Sequence, residues 1–138
     1  MMVKKYTNLI DISLSLLPDI NDSKSKHFTF LLKRKKIISI GYNKTKKSHP
    51  ICYKYGHKFN AIHSEVDAIL KASRYLQTLN NLILVNIRLS TLSLIKSKPI
   101  LRMSKPCIAC RKLIASIPQI KHIYYSINNN NFELLEQE

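Results

Sequence analysis

Two short segments constrain this chain more than anything else in it. One is Ala61-Ile62-His63-Ser64-Glu65-Val66-Asp67-Ala68, and the other is Ser104-Lys105-Pro106-Cys107-Ile108-Ala109-Cys110. They read H-x-E and P-C-x-x-C, and each opens a predicted helix. Between Glu65 and Cys107 lie 41 residues that read as helix, strand and loop. If these residues act on one ion, the fold must bring two distant helix starts to a single point.

The residue types suit such an ion. Cys107 and Cys110 are three apart, hence on one face of a helix, so both sulfurs can reach the same metal. In a first turn, free N–H groups and the helix dipole favour thiolates. His63 supplies a nitrogen, giving three protein ligands. Structural zinc usually takes four, whereas catalytic zinc keeps the fourth position for water. Neutral histidine, two thiolates and Zn²⁺ sum to zero charge, and such an ion lowers the pKa of its water. Glu65 lies roughly 200° around an ideal helix from His63. In the first turn its carboxylate can still reach the ligand pocket from beneath, as a general acid and base. C-x-x-C alone fits redox or structural zinc, and H-x-E alone carries little. Together they point to a catalytic zinc site, since a structural one has no need of Glu65.

The rest of the chain reads as alternating helices and strands. Residues 8–17 predict a helix stopped by Pro18. Two strands follow within 27–42, joined by the basic turn Lys33-Arg34-Lys35-Lys36. Residues 43–60 read as a long loop running into the first motif, and a loop that long in a small domain points to function. A helix is expected over about 61–78, capped by Asn60. The run at 82–89 reads as a strand buried on both faces, and 90–104 as an excursion in the form of an extended hairpin. A third helix is expected to start at Ser104 or Lys105, with Pro106 in its first turn and Pro118 closing it. A strand at 120–127 and, at 132–135, either a short return strand or a frayed end complete the chain. This alternation argues an α/β layer fold in one domain spanning 1–138.

Composition narrows the partners. The formal net charge is +15, and residues 1–60 hold thirteen Lys or Arg against Asp11, Asp19 and Asp22. A field of that sign attracts polyanions such as single-stranded nucleic acid. The excess of lysine over arginine also fits simple compositional drift. No apolar run approaches the ~20 residues that span a bilayer, so no membrane partner is expected. The basic start, Met1 to Lys5, leads into the first helix and lacks the apolar stretch of an export signal. Three cysteines, two of them in C-x-x-C, fit a metal pair in a reducing, intracellular, cytoplasmic setting.

With these residues in view, the chain resembles the cytidine and deoxycytidylate deaminase superfamily over about residues 27–127. The likeness is carried by Gly41-Tyr42-Asn43, by the two motif segments and by Ile123-Tyr124-Tyr125-Ser126, and is nearest small viral or phage members. The resemblance implies a three-layer α/β/α sandwich with a mixed, roughly five-stranded sheet. It implies zinc-hydroxide attack on C4 of cytosine, giving uracil and ammonia. By position, Asn43 would touch the sugar, Ala61 and Ile62 would line the base pocket, and Glu65 would meet the ring nitrogen. A backbone carbonyl near Lys105 would accept from the exocyclic amine. Homo-oligomers are common in such families and are among the expected partners. The family usually has Ala where this chain has Ser64, a small change expected to be neutral. Only eleven residues follow Ile127, too few for a crossover helix and a further parallel strand. A last strand must return antiparallel, as in the free-nucleoside branch and some toxin deaminases.

Three functions compete. The first is deamination of a free nucleotide such as dCMP. The second is deamination of cytosine within DNA or RNA, suggested by the charge; adenosine deamination on RNA is a weaker variant. The third is a catalytically idle, zinc-stapled module that binds nucleic acid. Glu65 separates the enzymes from the idle module.

Overall fold

Alternation along the strands sets the layers. Phe28, Phe30 and Leu32 fall on one side of their strand and Thr29 and Leu31 on the other, as period-two geometry requires. In the computed structural model, which describes residues 2–3, 6–17, 25–45, 54, 61–90, 100–128 and 131–135, both sides are covered. The elements are β1 (Met2–Val3), α1 (Thr7–Leu16), β2 (Ser25–Lys33), β3 (Lys36–Tyr42), β4 (Lys44–Thr45), β5 (Ala61–Ile62), α2 (Ser64–Ala72), β6 (Leu82–Ser90), β7 (Ile100–Arg102), α3 (Ile108–Ala115), β8 (Ile120–Ser126) and β9 (Phe132–Leu134). A 3₁₀ turn at Leu76–Thr78 follows α2.

The sheet runs β1-β9-β8-β6-β2-β3, with β7 paired to the far end of β6. It is mixed: β6 and β8 are parallel, and every other pair is antiparallel. Five strands, β3, β2, β6, β8 and β9, form its body, as expected. On one face Leu9 and Ile10 of α1 pack on Phe28, Phe30, Val85, Ile87 and Phe132. On the other, Val66 and Ile69 of α2 and Leu113 and Ile114 of α3 pack on Leu31, Leu84 and Ile123. The architecture is therefore the three-layer α/β/α sandwich. The last strand returns antiparallel to β8, with Ser126 opposite Phe132.

The hairpin between β2 and β3 pairs Lys33 with Lys36. Its turn places Arg34 at φ 57°, a conformation usually given to glycine. Only two glycines exist in the chain.

Two helix starts differ from the expected ones. Residues 61–62 are strand, because Lys44 pairs with Ile62 and Thr45 with Ala61. The chain thus enters α2 extended, and the cap is His63 rather than Asn60. Likewise the Ser104 N–H donates to Ser126 O at 2.9 Å, which holds that residue against the sheet. Proline also disfavours helical conformation in the residue before it. The cap of α3 is accordingly Cys107, not Ser104 or Lys105. The excursion after β6 returns as β7, while residues 91–99 lie outside the described residues.

Gly41 lets α2 lie against β3. A Cβ there would overlap Ala68 N and Ser64 O and come within 2.8 Å of Ala68 Cα. All three are backbone atoms that cannot step aside. Gly41→Ala is expected to cost about 3 kcal/mol or more, read as a lowered urea midpoint. It should also weaken zinc binding, since the helix that must move carries His63. A midpoint within error of the parent would contradict this packing.

Candidate metal centre and active site

The two altered helix starts explain the site. His63 and Cys107 are the N-cap residues of α2 and α3, both extended, at φ −71°, ψ 154° and φ −67°, ψ 167°. An N-cap side chain folds back over the first turn. Cys107 Sγ does so, accepting from the Cys110 N–H at 3.4 Å. This cap geometry, rather than a shared helix face, brings Cys107 beside Cys110.

His63 Nδ1 lies 3.6 Å from Cys107 Sγ and 3.4 Å from Cys110 Sγ. Zn–S bonds of about 2.3 Å and a Zn–N bond of about 2.0 Å at tetrahedral angles put N and S about 3.5 Å apart. The three donor atoms therefore already stand at zinc-ligand spacing. Among the described residues these three alone form a group able to hold a metal ion. His49, Cys52 and His57 lie outside the described residues, as does most of the 43–60 loop.

Without metal, the sulfurs divide one proton. The Cys107 thiol is pulled down to about 3, first by the hydrogen bond from Cys110 and then by His63. Cys110 is pushed up, by that same bond and by burial, and keeps its proton. His63 is raised, chiefly by its bond to Cys107. Zinc must displace the Cys110 proton and, below the raised His63 pKa, the imidazolium proton as well. Its affinity should fall by about tenfold per pH unit for each proton displaced. Chelator competition between pH 8 and pH 6 measures this; a pH-independent affinity would contradict the ligand set.

Glu65, the second residue of α2, is 6% exposed. After Cys107 and burial, its nearby carboxylate also pushes the Cys110 thiol up. Ser64 Oγ donates to Oε1 at 3.1 Å and Asn86 Nδ2 to Oε2 at 3.1 Å. Nothing in the local pattern marks Asn86, which sits in an otherwise mostly apolar strand.

Asp67 is a second residue whose role only the fold shows. It receives the Tyr42 N–H at 3.0 Å and pairs with Lys44 and Lys71, each at 2.9 Å. Burial alone would raise its pKa, but these partners hold it below its ordinary value. Lys71 also lies 4.2 Å over the Tyr42 ring. Asp67 thus fastens α2 to the strands that lead into the site.

The remaining expected residues surround this cluster unevenly. Asn43 Oδ1 accepts the His27 N–H at 3.0 Å, and the Asn43 N–H donates to His27 O at 3.3 Å, at the exit of β3. His27 is held down at about 4, by burial, Arg88 and His63. Ile62 is 8% exposed and packs into the core under α2. Ala61 precedes it in β5. Lys105 is exposed, two residues before Cys107.

A three-layer sandwich carries a His/Cys/Cys cluster at two helix starts, a donor set of three that suits catalytic rather than structural zinc. The chain belongs to the family described as the cytidine and deoxycytidylate deaminase zinc-binding region, whose model matches residues 8–127. It is a zinc-dependent deaminase of that type. Among solved structures it is similar to the dCMP deaminase of cyanophage S-TIM5 in apo form, at 19% identity and TM-score 0.49, over 88% of this chain and 82% of that one. It is also similar to that enzyme in complex with dCMP and dUMP, at 20% identity and TM-score 0.50, over 88% and 78%. No curated protein matches the chain. No helix among the described residues is long and apolar enough to cross a membrane.

Proposed function

We propose that this chain hydrolyses cytosine to uracil on a free deoxycytidine nucleotide, dCMP. The reading is carried by one observation: the Glu65 carboxylate lies against a three-ligand cluster that would leave zinc a fourth position. A purely structural site gains nothing from a buried carboxylate beside it. The like-folded phage enzyme in complex with dCMP and dUMP supports the nucleotide.

His63, Cys107 and Cys110 would hold the ion, which supplies a water activated near neutral pH. Glu65 takes one proton from the attacking water and delivers it to the ring nitrogen. The C4–N bond breaks as Glu65 passes a second proton to the exocyclic amine. Cytosine and water thus become uracil and ammonia, and Glu65 ends as it began. By the family resemblance, Asn43 would meet the sugar, Ala61 and Ile62 would bound the base, and the carbonyl near Lys105 would accept from the amine.

The net charge of +15 favours a second reading, cytosine within single-stranded nucleic acid. One assay separates them. Zinc-loaded protein is given dCMP, CMP, cytidine and a cytosine-bearing single-stranded oligonucleotide, and the products are read by mass. Conversion of dCMP is expected. Conversion of the oligonucleotide alone would transfer the function to the polymer. No conversion with zinc bound would sink both.

A further inference from the structure

Proton transfer needs the carboxylate in one place, and a glutamate has three side-chain torsions to lose. Three buried polar residues remove that freedom. Ser64, Thr29 and Asn86 are 1%, 0% and 3% exposed. They come from the first turn of α2 and from the adjacent strands β2 and β6, where Thr29 and Asn86 stand directly opposite.

The hydrogen bonds have a definite direction. Asn86 Nδ2 faces two acceptors, Glu65 Oε2 and Ser104 O, both at 3.1 Å. Neither can donate, so the amide orientation is fixed, with Nδ2 toward Glu65. Its oxygen then faces Thr29 Oγ1 at 2.6 Å. Ser64 gives its only proton to Glu65 Oε1, so toward Thr29 Oγ1, at 2.8 Å, it acts as acceptor. The single Thr29 proton serves Asn86 Oδ1 or Ser64 Oγ in turn, so Thr29 touches both residues that hold the carboxylate without donating to both at once. Each Glu65 oxygen receives one neutral donor.

Asn86 does more than anchor one side chain. Ser104, whose carbonyl it holds, also donates from Oγ to Asn86 O at 2.9 Å. That residue begins the short run to Cys107. One asparagine therefore spans from the Glu65 carboxylate on α2 to the segment delivering a metal ligand to α3.

We propose that Ser64 and Asn86, oriented by Thr29, are positioning residues that fix the Glu65 carboxylate relative to the metal cluster. The serine next to the zinc histidine is then not a neutral replacement. The inference rests on the reading of Glu65 as the proton carrier, and its test includes an arm that does not.

Ser64→Ala and Asn86→Leu, compared at full zinc occupancy, should lower kcat by about 10-fold and about 100-fold with KM nearly unchanged. Thr29→Val should also lower kcat, while Thr29→Ser, which keeps the hydroxyl, should retain it. Adding Ser64→Ala to Glu65→Gln should cost nothing further. A merely structural cluster would instead shift the melting temperature and leave kcat alone. Crystal structures of zinc-loaded Ser64→Ala and Asn86→Leu give the arm independent of turnover: the Glu65 carboxylate should leave its place or split between conformers. Wild-type kcat in both variants, or an unmoved carboxylate in both structures, would overturn the proposal. If the parent protein deaminates nothing, the proposed function fails, and the position of Glu65 in those structures still decides this one.

Discussion

Glu65→Gln is expected to keep its zinc and its fold and to lose about 10²- to 10⁴-fold in kcat, the usual worth of a positioned acid and base. Glutamine is the informative replacement because the pocket can satisfy it. Its oxygen can accept from Asn86 Nδ2, and its amide can donate to Ser64 Oγ, so neither partner is orphaned. Alanine would leave both donors unpaired in a site that is 6% exposed, and the cost of unpaired polar groups would blur the result. Turnover by mass, with zinc counted in the same sample, measures the effect. Activity within a few-fold of the parent would remove Glu65 from the chemistry and favour an idle, zinc-stapled module.

Cys107→Ser should lose zinc and stability together. Removing a ligand ought to weaken binding by more than the 10- to 100-fold typical of residues behind the ligands. A 100-fold loss at limiting zinc corresponds to about 2.7 kcal/mol, or very roughly a 10 °C fall in melting temperature. The substitution also deletes the cap that Cys107 Sγ gives to the Cys110 N–H. Part of the fall should therefore persist in excess chelator, where metal no longer contributes. Scans with zinc and with chelator separate the two parts. Full zinc occupancy in the variant would refute the ligand set.

Much of the layer order was legible along the chain. The apolar run 82–89 belongs to a central strand, and β6 is flanked by β2 and β8. The first of the two strands expected within 27–42 is β2. The return strand expected after β8 is β9, and it pairs antiparallel. These features depend on local period, which a sequence states directly.

The metal-binding group was legible in identity and misread in geometry. His63, Cys107 and Cys110 were named from spacing, but a shared helix face was the wrong reason for the cysteines. Nor does the 200° angle between His63 and Glu65 describe them, because His63 is a cap with extended backbone. Whether a residue caps or enters a helix depended here on what held the preceding chain. That was the β4–β5 pairing for α2, and for α3 Pro106 together with the Ser104 bond to Ser126.

The sequence by itself determined which atoms could bind zinc and which group could carry a proton, because ligand chemistry belongs to residue types. Only the tertiary structure decided what fixes them. Thr29 and Asn86 lie in stretches whose patterns speak of strand and nothing else, and Asp67, though inside the first motif, shows its partners Tyr42, Lys44 and Lys71 only in the fold. Thr29 and Asn86 face each other across two strands separated by 57 positions in the chain. Their meaning is a distance to Glu65, and such a distance exists only after the sheet has formed and α2 has settled onto Gly41.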